Sequence, residues 1–314
     1  MHITIAGAGA MGSRFGAMLQ DAGNDVVFID GWDKNVDTIN KDGLKVTSNG
    51  KDHIFKIPAY LQEDVKSKAN FKTDLIILFT KAGQLDKMLE DIKSIIVDST
   101  KVLSLLNGIG IDDIVKKYVP LENIYLGVTT WTSDSKGPGH VQLQGDGAVA
   151  LQNLGKGKEK DAESLVKTLS NAKLNASYSD NIRESVYLKA TINGTLNTLC
   201  TILRVDMAGF GKTSTAGKMV DNIVNEFVEV ANREGINLKA QEAIKLIKKG
   251  CDPKGDGDHY PSMYQDLIEN DRKTEIDYIN GVISRKGRTY KIPTPYCDFI
   301  VDLIHAEEDV LGAK

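Results

Sequence analysis

Six residues near the start of the chain, Gly7-Ala8-Gly9-Ala10-Met11-Gly12, spell GxGxxG between an apolar run and a helical pattern. Each glycine suits one task. Gly7 permits a tight strand-to-helix turn, Gly9 lets a pyrophosphate approach the backbone, and Gly12 lets the helix pack close to the strand. The first N–H groups and dipole of that helix then face the phosphates. Asp30 closes the next apolar run, 18 residues past Gly12, near the spacing of about 20 expected for a ribose-binding acid. Its carboxylate can accept from the adenosine ribose hydroxyls of NAD and repels the 2′-phosphate of NADP. Gly31, Trp32 and Asp33 follow, and the nearest cation, Lys34, has solvent as its simplest partner. Residues 7–12 and Asp30 are therefore candidate cofactor-binding residues, and the cofactor expected is NAD (NADH).

A second polar set lies far along the chain. Lys189, Asn193 and Asn197 fall at i, i+4 and i+8 of one helical pattern, which lines them along a single stripe. Val186, Leu188, Ile192, Leu196, Leu199 and Ile202 surround them. Buried ammonium and amide groups are costly without partners, and Gly194 adds about 1 kcal/mol of helix cost relative to alanine. A ligand-facing stripe accounts for both costs; the competing reading is the polar face of a half-exposed helix. Further on, Ser262-Met263-Tyr264-Gln265-Asp266 precedes Thr274-Glu275-Ile276-Asp277-Tyr278-Ile279-Asn280-Gly281. Pattern alone favours Thr274 as a helix cap and Glu275 as an acid complementing the helix dipole. Lys81 and Asn107 follow apolar runs at the edge where ligands of open α/β sheets sit. Each is either a site residue or, respectively, a solvated lysine and a turn former.

The elements that must position these residues follow from periodicity. Strand patterns at 3–6, 25–29, 75–79, 101–105 and 124–128 alternate with helical patterns such as 11–22, 85–96 and 111–119. Such alternation predicts an α/β domain with a Rossmann-type, doubly wound parallel sheet. Residues 43–57 read as a hairpin turning at Asn49-Gly50, and 141–151 as one or two strands broken at 145–147. Beyond Asp180 the patterns are helical: 182–203, 217–234, 240–249, 263–269, 275–286 and 296–310. Residues 250–258 read as a surface loop. The division expected is a dinucleotide-binding domain over 1–179 and an all-helical substrate domain over 180–314.

The chain has 314 residues, 41% hydrophobic and 26% charged, with net charge −4. That length fits two domains. With a pI of about 5.8, no global positive field attracts nucleic acid or an anionic membrane. The apolar run at 75–79 is too short to span a bilayer, and the first residues show no charged or apolar leader, so no signal peptide is expected. Cys200, Cys251 and Cys297 are scattered and odd in number, which fits a reducing, cytoplasmic setting. Histidines at 2, 53, 140, 259 and 305 lack metal-ligand spacing, so no metal site is expected. The amphipathic C-terminal helices are compatible with a homodimer.

Along essentially its whole length the chain resembles the 2-ketopantoate reductase family. The resemblance rests on GAGAMG at 7–12, Thr80-Lys81-Ala82, Asn107-Gly108 with Gly110, the Lys189/Asn193/Asn197 stripe, Ser262-Met263 with Gln265-Asp266, and TEIDYING at 274–281. It implies a Rossmann domain followed by a helical one. It also implies Lys189 as catalytic general acid and Glu275 as a second essential group. Asn107, Asn193, Asn197 and Ser262 would hold substrate, with Asn107 also touching the cofactor and Lys81 beside cofactor or substrate. A lysine desolvated in a cleft can give a proton to the oxygen of a carbonyl that receives hydride, and its neutral form takes one back in reverse.

One departure matters. NADPH-using ketopantoate reductases carry a basic residue where this chain has Asp30-Gly31. Asp30, the run Ile29-Asp30-Gly31-Trp32 and Trp131 are instead similar to a branch of NAD-dependent D-2-hydroxyacid dehydrogenases of the mandelate and 2-hydroxyisocaproate type. His259 stands where the reductases often have asparagine, and either contacts substrate or caps a helix. The expected activity is thus an NAD-dependent D-2-hydroxyacid dehydrogenase acting on branched or aromatic 2-oxo acids. Ketopantoate reduction is the alternative. A non-catalytic NAD-binding sensor is the third reading, opposed by the proton-donor constellation.

Overall fold

The computed structural model describes residues 1–155, 157, 159–255 and 257–314. It separates into two units: Met1–Leu106 with Ile111–Ile182, and Asn107–Gly110 with Arg183–Lys314.

The first unit runs β1 (His2–Ala6), α1 (Ala10–Asp21), β2 (Asp25–Asp30), α2 (Asp33–Asp42), β3 (Leu44–Ser48), β4 (Lys51–Phe55), β5 (Ala59–Leu61), α3 (Val65–Lys68), β6 (Leu75–Leu78), α4 (Leu85–Ile92) and β7 (Lys101–Ser104). It continues with α5 (Ile111–Val115), β8 (Ile124–Thr129), β9 (Thr132–Gly137), β10 (His140–Gln144), β11 (Val149–Asn153), α6 (Glu159–Asn171) and β12 (Ala176–Tyr178). An eight-stranded sheet has the order β12-β11-β8-β7-β6-β1-β2-β5. It is parallel except where β11 meets β8. Strand order reverses between β1 and β6, the kind of switch point at which α/β sheets bind ligands. Its strands are almost wholly apolar because both faces are covered; Ile3, Ile5, Phe28, Leu75, Ile77 and Leu103 lie in one core with Phe15 and Leu19 of α1.

The predicted hairpin forms as β3 and β4, with Asn49 (φ 49°) and Gly50 (φ 73°) in the left-handed conformations such a two-residue turn requires. It belongs to a second sheet, β4-β3-β10-β9, unexpected from the sequence. Residues 141–151 therefore supply strands to two different sheets. Helix α1 packs against both. Its buried Arg14 donates to the carbonyls of Thr132 (2.6 Å) and Gln144 (2.9 Å) and lies 4.0 Å from the Trp131 ring centroid. Burial lowers that guanidinium to about 10. Trp131 itself is buried and donates to Leu174 O (2.9 Å). Helices α2 and α6 turn short stripes inward: α2 buries Asn35, Val36 and Ile39, and α6 buries Ala162, Leu165 and Leu169.

The second unit comprises α7 (Ile182–Leu203, whose first residue groups with the first unit), α8 (Met207–Gly211), α9 (Ala216–Arg233), α10 (Ala240–Gly250), α11 (Ser262–Tyr264), α12 (Asn280–Tyr290) and α13 (Pro295–Leu311). Helices α9, α12 and α13 pack on one another. Glu234, just beyond α9, accepts from Tyr187, Lys286 and Tyr290, joining α7 and α12. Gly194 is where α7 comes close to its neighbours: a Cβ there would lie 2.6 Å from Phe227 Cζ, and its carbonyl accepts from the buried Asn280 amide (3.0 Å).

Several predicted helices are shorter than their patterns. The pattern at 85–96 ends as α4 at Ile92 followed by a 3₁₀ turn at 93–95, and that at 111–119 ends at Val115. The pattern at 263–269 becomes one turn of α11 and a π-helical turn over 265–269. The pattern at 275–286 is corrected most. Residues 276–278 form a single 3₁₀ turn, Ile279 breaks it (φ −111°, ψ −92°), and α12 starts only at Asn280. Of the stretch 250–258, Asp256 lies outside the described residues, while the carbonyl of buried Gly257 accepts from Ala208 N at the start of α8 (2.8 Å). No helix among the described residues is long and apolar enough to cross a membrane.

Candidate active site

The glycine turn joins β1 to α1 and is shaped by contacts that exclude side chains. Gly7 has φ +102°, and a Cβ on it would lie 2.5 Å from Thr80 N in the turn after β6. A Cβ on Gly12 would lie 1.8 Å from Gly7 O. Gly9, by contrast, faces open space and precedes the first residue of α1, where it offers no side-chain cap. A side chain at position 9 would project into that open space at the helix N-terminus. Ala10 and Met11 open the helix, Met11 packing on the core.

The peptide of Ala8 is held from both sides. Its N–H donates to Asp30 Oδ2 (2.6 Å), and its carbonyl accepts from Ser13 Oγ (2.9 Å) and Asn35 Nδ2 (3.1 Å). Asn35 Oδ1 in turn accepts from Gly139 N (2.8 Å). Asp30 Oδ1 accepts from Trp32 N (2.8 Å), so the carboxylate stays at the end of β2 beside the turn. Burial raises the Asp30 carboxyl above its ordinary value, and the surrounding backbone N–H groups oppose that rise. Ser13 and Asn35 give no sign in the sequence, since a lone serine and a lone asparagine on helices carry no spacing signal. Lys81 is half-buried at the carboxyl end of β6, just before a short 3₁₀ turn.

Within the second unit, α7 presents two kinds of polar residue. Thr191, Thr195, Thr198 and Thr201 are fully buried, and each donates back to a carbonyl one turn earlier. Their polarity is satisfied inside the helix. Lys189, Asn193 and Asn197 form a separate stripe, at i, i+4 and i+8 of the same helix. Burial lowers the Lys189 ammonium to about 8, and the Glu275 carboxylate pulls it back up. Asn197 is buried and donates from Nδ2 to Ser262 Oγ (3.3 Å), with Ser262 exposed at the start of α11. Asn193 is half-buried one turn from each of its companions.

Glu275 sits five residues before α12, so the helix-dipole reading of it is corrected. Thr274 Oγ1 accepts from Ile276 N (3.2 Å), but the residue flanking the 276–278 turn is Glu275, which makes no side-chain cap bond. The same turn docks the loop that carries Asn107. Ile109 N donates to Tyr278 O (2.9 Å), and Gly108 (φ +108°) approaches so closely that a Cβ would lie 2.7 Å from that oxygen. Residues 107–110 thus group with the helical unit although they follow a sheet strand. The unit brings Lys189 to Glu275, Asn197 to Ser262, and the loop of Asn107 to the Glu275 turn. His259 is exposed, and its carbonyl accepts from Met207 N (3.3 Å) at the start of α8.

Residues 3–156 match the family model of ketopantoate reductase PanE/ApbA, and residues 181–308 match its C-terminal counterpart. A 2-dehydropantoate 2-reductase of Lactococcus lactis subsp. lactis (strain IL1403) is 55% identical over the full length of both chains. A D-mandelate dehydrogenase solved with NADH and anilino(oxo)acetate is 58% identical, with full coverage of both chains and a TM-score of 0.97. A putative 2-dehydropantoate 2-reductase from Enterococcus faecalis, also fully covered, is 47% identical with a TM-score of 0.81. The chain belongs to the ketopantoate reductase family, whose members are oxidoreductases.

Proposed function

We propose that this protein is an NAD-dependent D-2-hydroxyacid dehydrogenase, interconverting branched or aromatic 2-oxo acids and their D-2-hydroxy acids. The observation that carries the cofactor choice is the Asp30 carboxylate, fixed beside the glycine turn by Ala8 N and Trp32 N. An anchored carboxylate offers acceptors to ribose hydroxyls and repels a 2′-phosphate. The residues fit NADH on two further counts: the open space at Gly9 suits a pyrophosphate, and the uncapped start of α1 supplies N–H donors. When bound, NADH supplies hydride to the carbonyl carbon.

The chain's own residues do the rest. Asn193, Asn197, Ser262 and Asn107 offer donors to the substrate's carboxylate and oxygen, and Lys81 adds a cation at the sheet edge. Lys189 donates the proton as charge develops on the carbonyl oxygen. With its ammonium at about 8, it is mostly protonated at neutral pH yet within reach of the neutral form that the reverse reaction requires. Glu275 keeps it from losing that proton too early.

Ketopantoate reduction is the second reading, favoured by the name of the 55% identical Lactococcus lactis relative. The 58% identical D-mandelate dehydrogenase, solved with NADH, supports the first. The deciding experiment compares NADH with NADPH as donor on ketopantoate and on a panel of branched and aryl 2-oxo acids. The first reading expects NADH and a bulky 2-oxo acid to give the highest kcat/KM. Preference for NADPH with ketopantoate would overturn it.

A further inference from the structure

The turn that carries Glu275 has little regular structure of its own, yet it must keep one carboxylate in register with Lys189. What holds it comes from α13. Glu308, buried near the end of that helix, accepts through Oε1 from both Thr274 N (2.7 Å) and Thr274 Oγ1 (2.7 Å). Its other oxygen, Oε2, meets His305 Nδ1 at 2.9 Å. The far nitrogen of that ring, Nε2, lies 3.3 Å from Asp277 Oδ1. Two residues of α13 therefore grip the turn just before and just after Glu275–Ile276. The backbone of Lys314 adds a third hold, accepting from Lys273 N (3.1 Å) and donating to Asp271 O (3.0 Å).

The imidazole is the informative member. Both of its nitrogens face carboxylates, and only the doubly protonated ring donates to both. Neutral His305 leaves one nitrogen lone pair against a carboxylate. The charged groups around the ring are Glu308 on its own helix, Asp277 on the turn, and Arg285 of α12, whose Nη1 is 3.7 Å from Asp277 Oδ1. Burial works against protonation, but the carboxylate contacts outweigh it and leave the His305 pKa raised; against its own burial, Glu308 is held below its ordinary value by the two bonds from Thr274 and then by His305. The sign follows: the full clamp exists below the raised pKa and is lost as pH rises through it.

We infer that Glu308 and His305 are positioning residues for turnover, clamping the 274–278 turn so that the Glu275 carboxylate stays directed at Lys189. This rests on the reading of Lys189 and Glu275 given above and extends it to two residues that touch neither substrate nor cofactor.

The test is a double-mutant cycle on the intact enzyme, measuring kcat and KM for reduction of a 2-oxo acid by NADH, NADH binding by fluorescence, and thermal stability. Glu308→Gln is expected to lower kcat about tenfold in the native background, with NADH Kd changed less than twofold, and to lower it less than twofold further when Glu275→Gln is already present. That non-additivity is the signature of acting through Glu275. His305→Gln, at a half-exposed position and therefore safe for folding, is expected to lower kcat about threefold below the His305 pKa and to have no effect above it. An equal fold-loss in both backgrounds, or a pH-independent His305→Gln effect, overturns the clamp and leaves a merely structural role. Should Glu308→Gln fail to fold, the His305→Gln profile decides alone. If Glu275→Gln by itself leaves turnover unchanged, the underlying site assignment fails as well, and that result is distinguishable because it needs neither clamp variant.

Discussion

The glycine turn and the polar groups of the helical unit are two candidate sites built on opposite plans. At the turn, the proposed cofactor contacts come from the backbone. Residue types are imposed by what a Cβ would strike, 2.5 Å at Gly7 and 1.8 Å at Gly12, and Gly9, with open space before it, is the glycine the proposed pyrophosphate contact needs bare. In the helical unit, the proposed function rests on side chains drawn from positions 107, 189, 193, 197, 262 and 275. Their geometry depends on helix contacts elsewhere, at Gly194, Asn280 and Glu308. A backbone site is short in sequence and intolerant of substitution at fixed positions. A side-chain site is dispersed and is damaged from a distance.

The largest effect expected from that contrast is chemical. Lys189→Ala should leave NADH affinity unchanged and lower kcat by roughly 10²–10⁴-fold, the usual worth of a positioned proton donor. Equal losses in binding and turnover would mean that the two sites are not separable in this way. At the turn, two neighbouring glycines should fail differently. Gly12→Ala forces a carbonyl to move and is expected to cost about 1–3 kcal/mol of stability together with NADH affinity. Gly9→Ala meets nothing in the protein, so Tm should hold while NADH binding weakens about tenfold or more, near 1.4 kcal/mol. Calorimetry and fluorescence titration of the pair check this; a stability loss at Gly9 would show that its openness serves the fold.

The same contrast explains what could be read from the sequence. The parallel strands β1, β2, β6, β7 and β8, the glycine turn and the place of Asp30 at the end of β2 were legible because local rules govern them. The three-residue strands β5 and β12, by contrast, are too short to show a pattern. The stripe on α7 was legible as a stripe, since i, i+4, i+8 is geometry of a single helix. The second sheet was not, because β3 pairs with β10 across nearly a hundred residues and no local pattern announces that partner. Nor was the true shape of 274–279. Thr274-Glu275 reads as a capped helix start, but the turn is instead held by Glu308 and by the Ile109–Tyr278 bond, both long-range. Gly194 looked like a helix cost until Phe227 and Asn280 showed why no larger residue fits. Gly194→Ala should accordingly destabilise the protein. The overpacking cost of roughly 1–3 kcal/mol exceeds the gain of about 1 kcal/mol from better helix propensity. A rise in Tm would mean that α7 and α9 can separate freely there.

The smallest change expected is a displacement along the pH axis, and it sharpens the comparison most because it isolates one charge. Lys189 sits at about 8 through two opposed influences, burial lowering it and Glu275 raising it. Glu275→Gln removes the second, so the lysine should lose its proton at lower pH than in the native enzyme. Reduction needs the ammonium form, and its alkaline limb should therefore begin earlier, with a larger loss at pH 8.5 than at 6.5. Oxidation of the hydroxy acid needs the neutral amine, so its rising limb should also begin earlier, and the variant should be relatively less impaired in that direction at neutral pH. General damage to the helical unit lowers both directions at every pH. Only a charge acting on Lys189 moves the two limbs the same way along the pH axis while acting oppositely on the two rates, and a pair of pH profiles for kcat settles which has occurred.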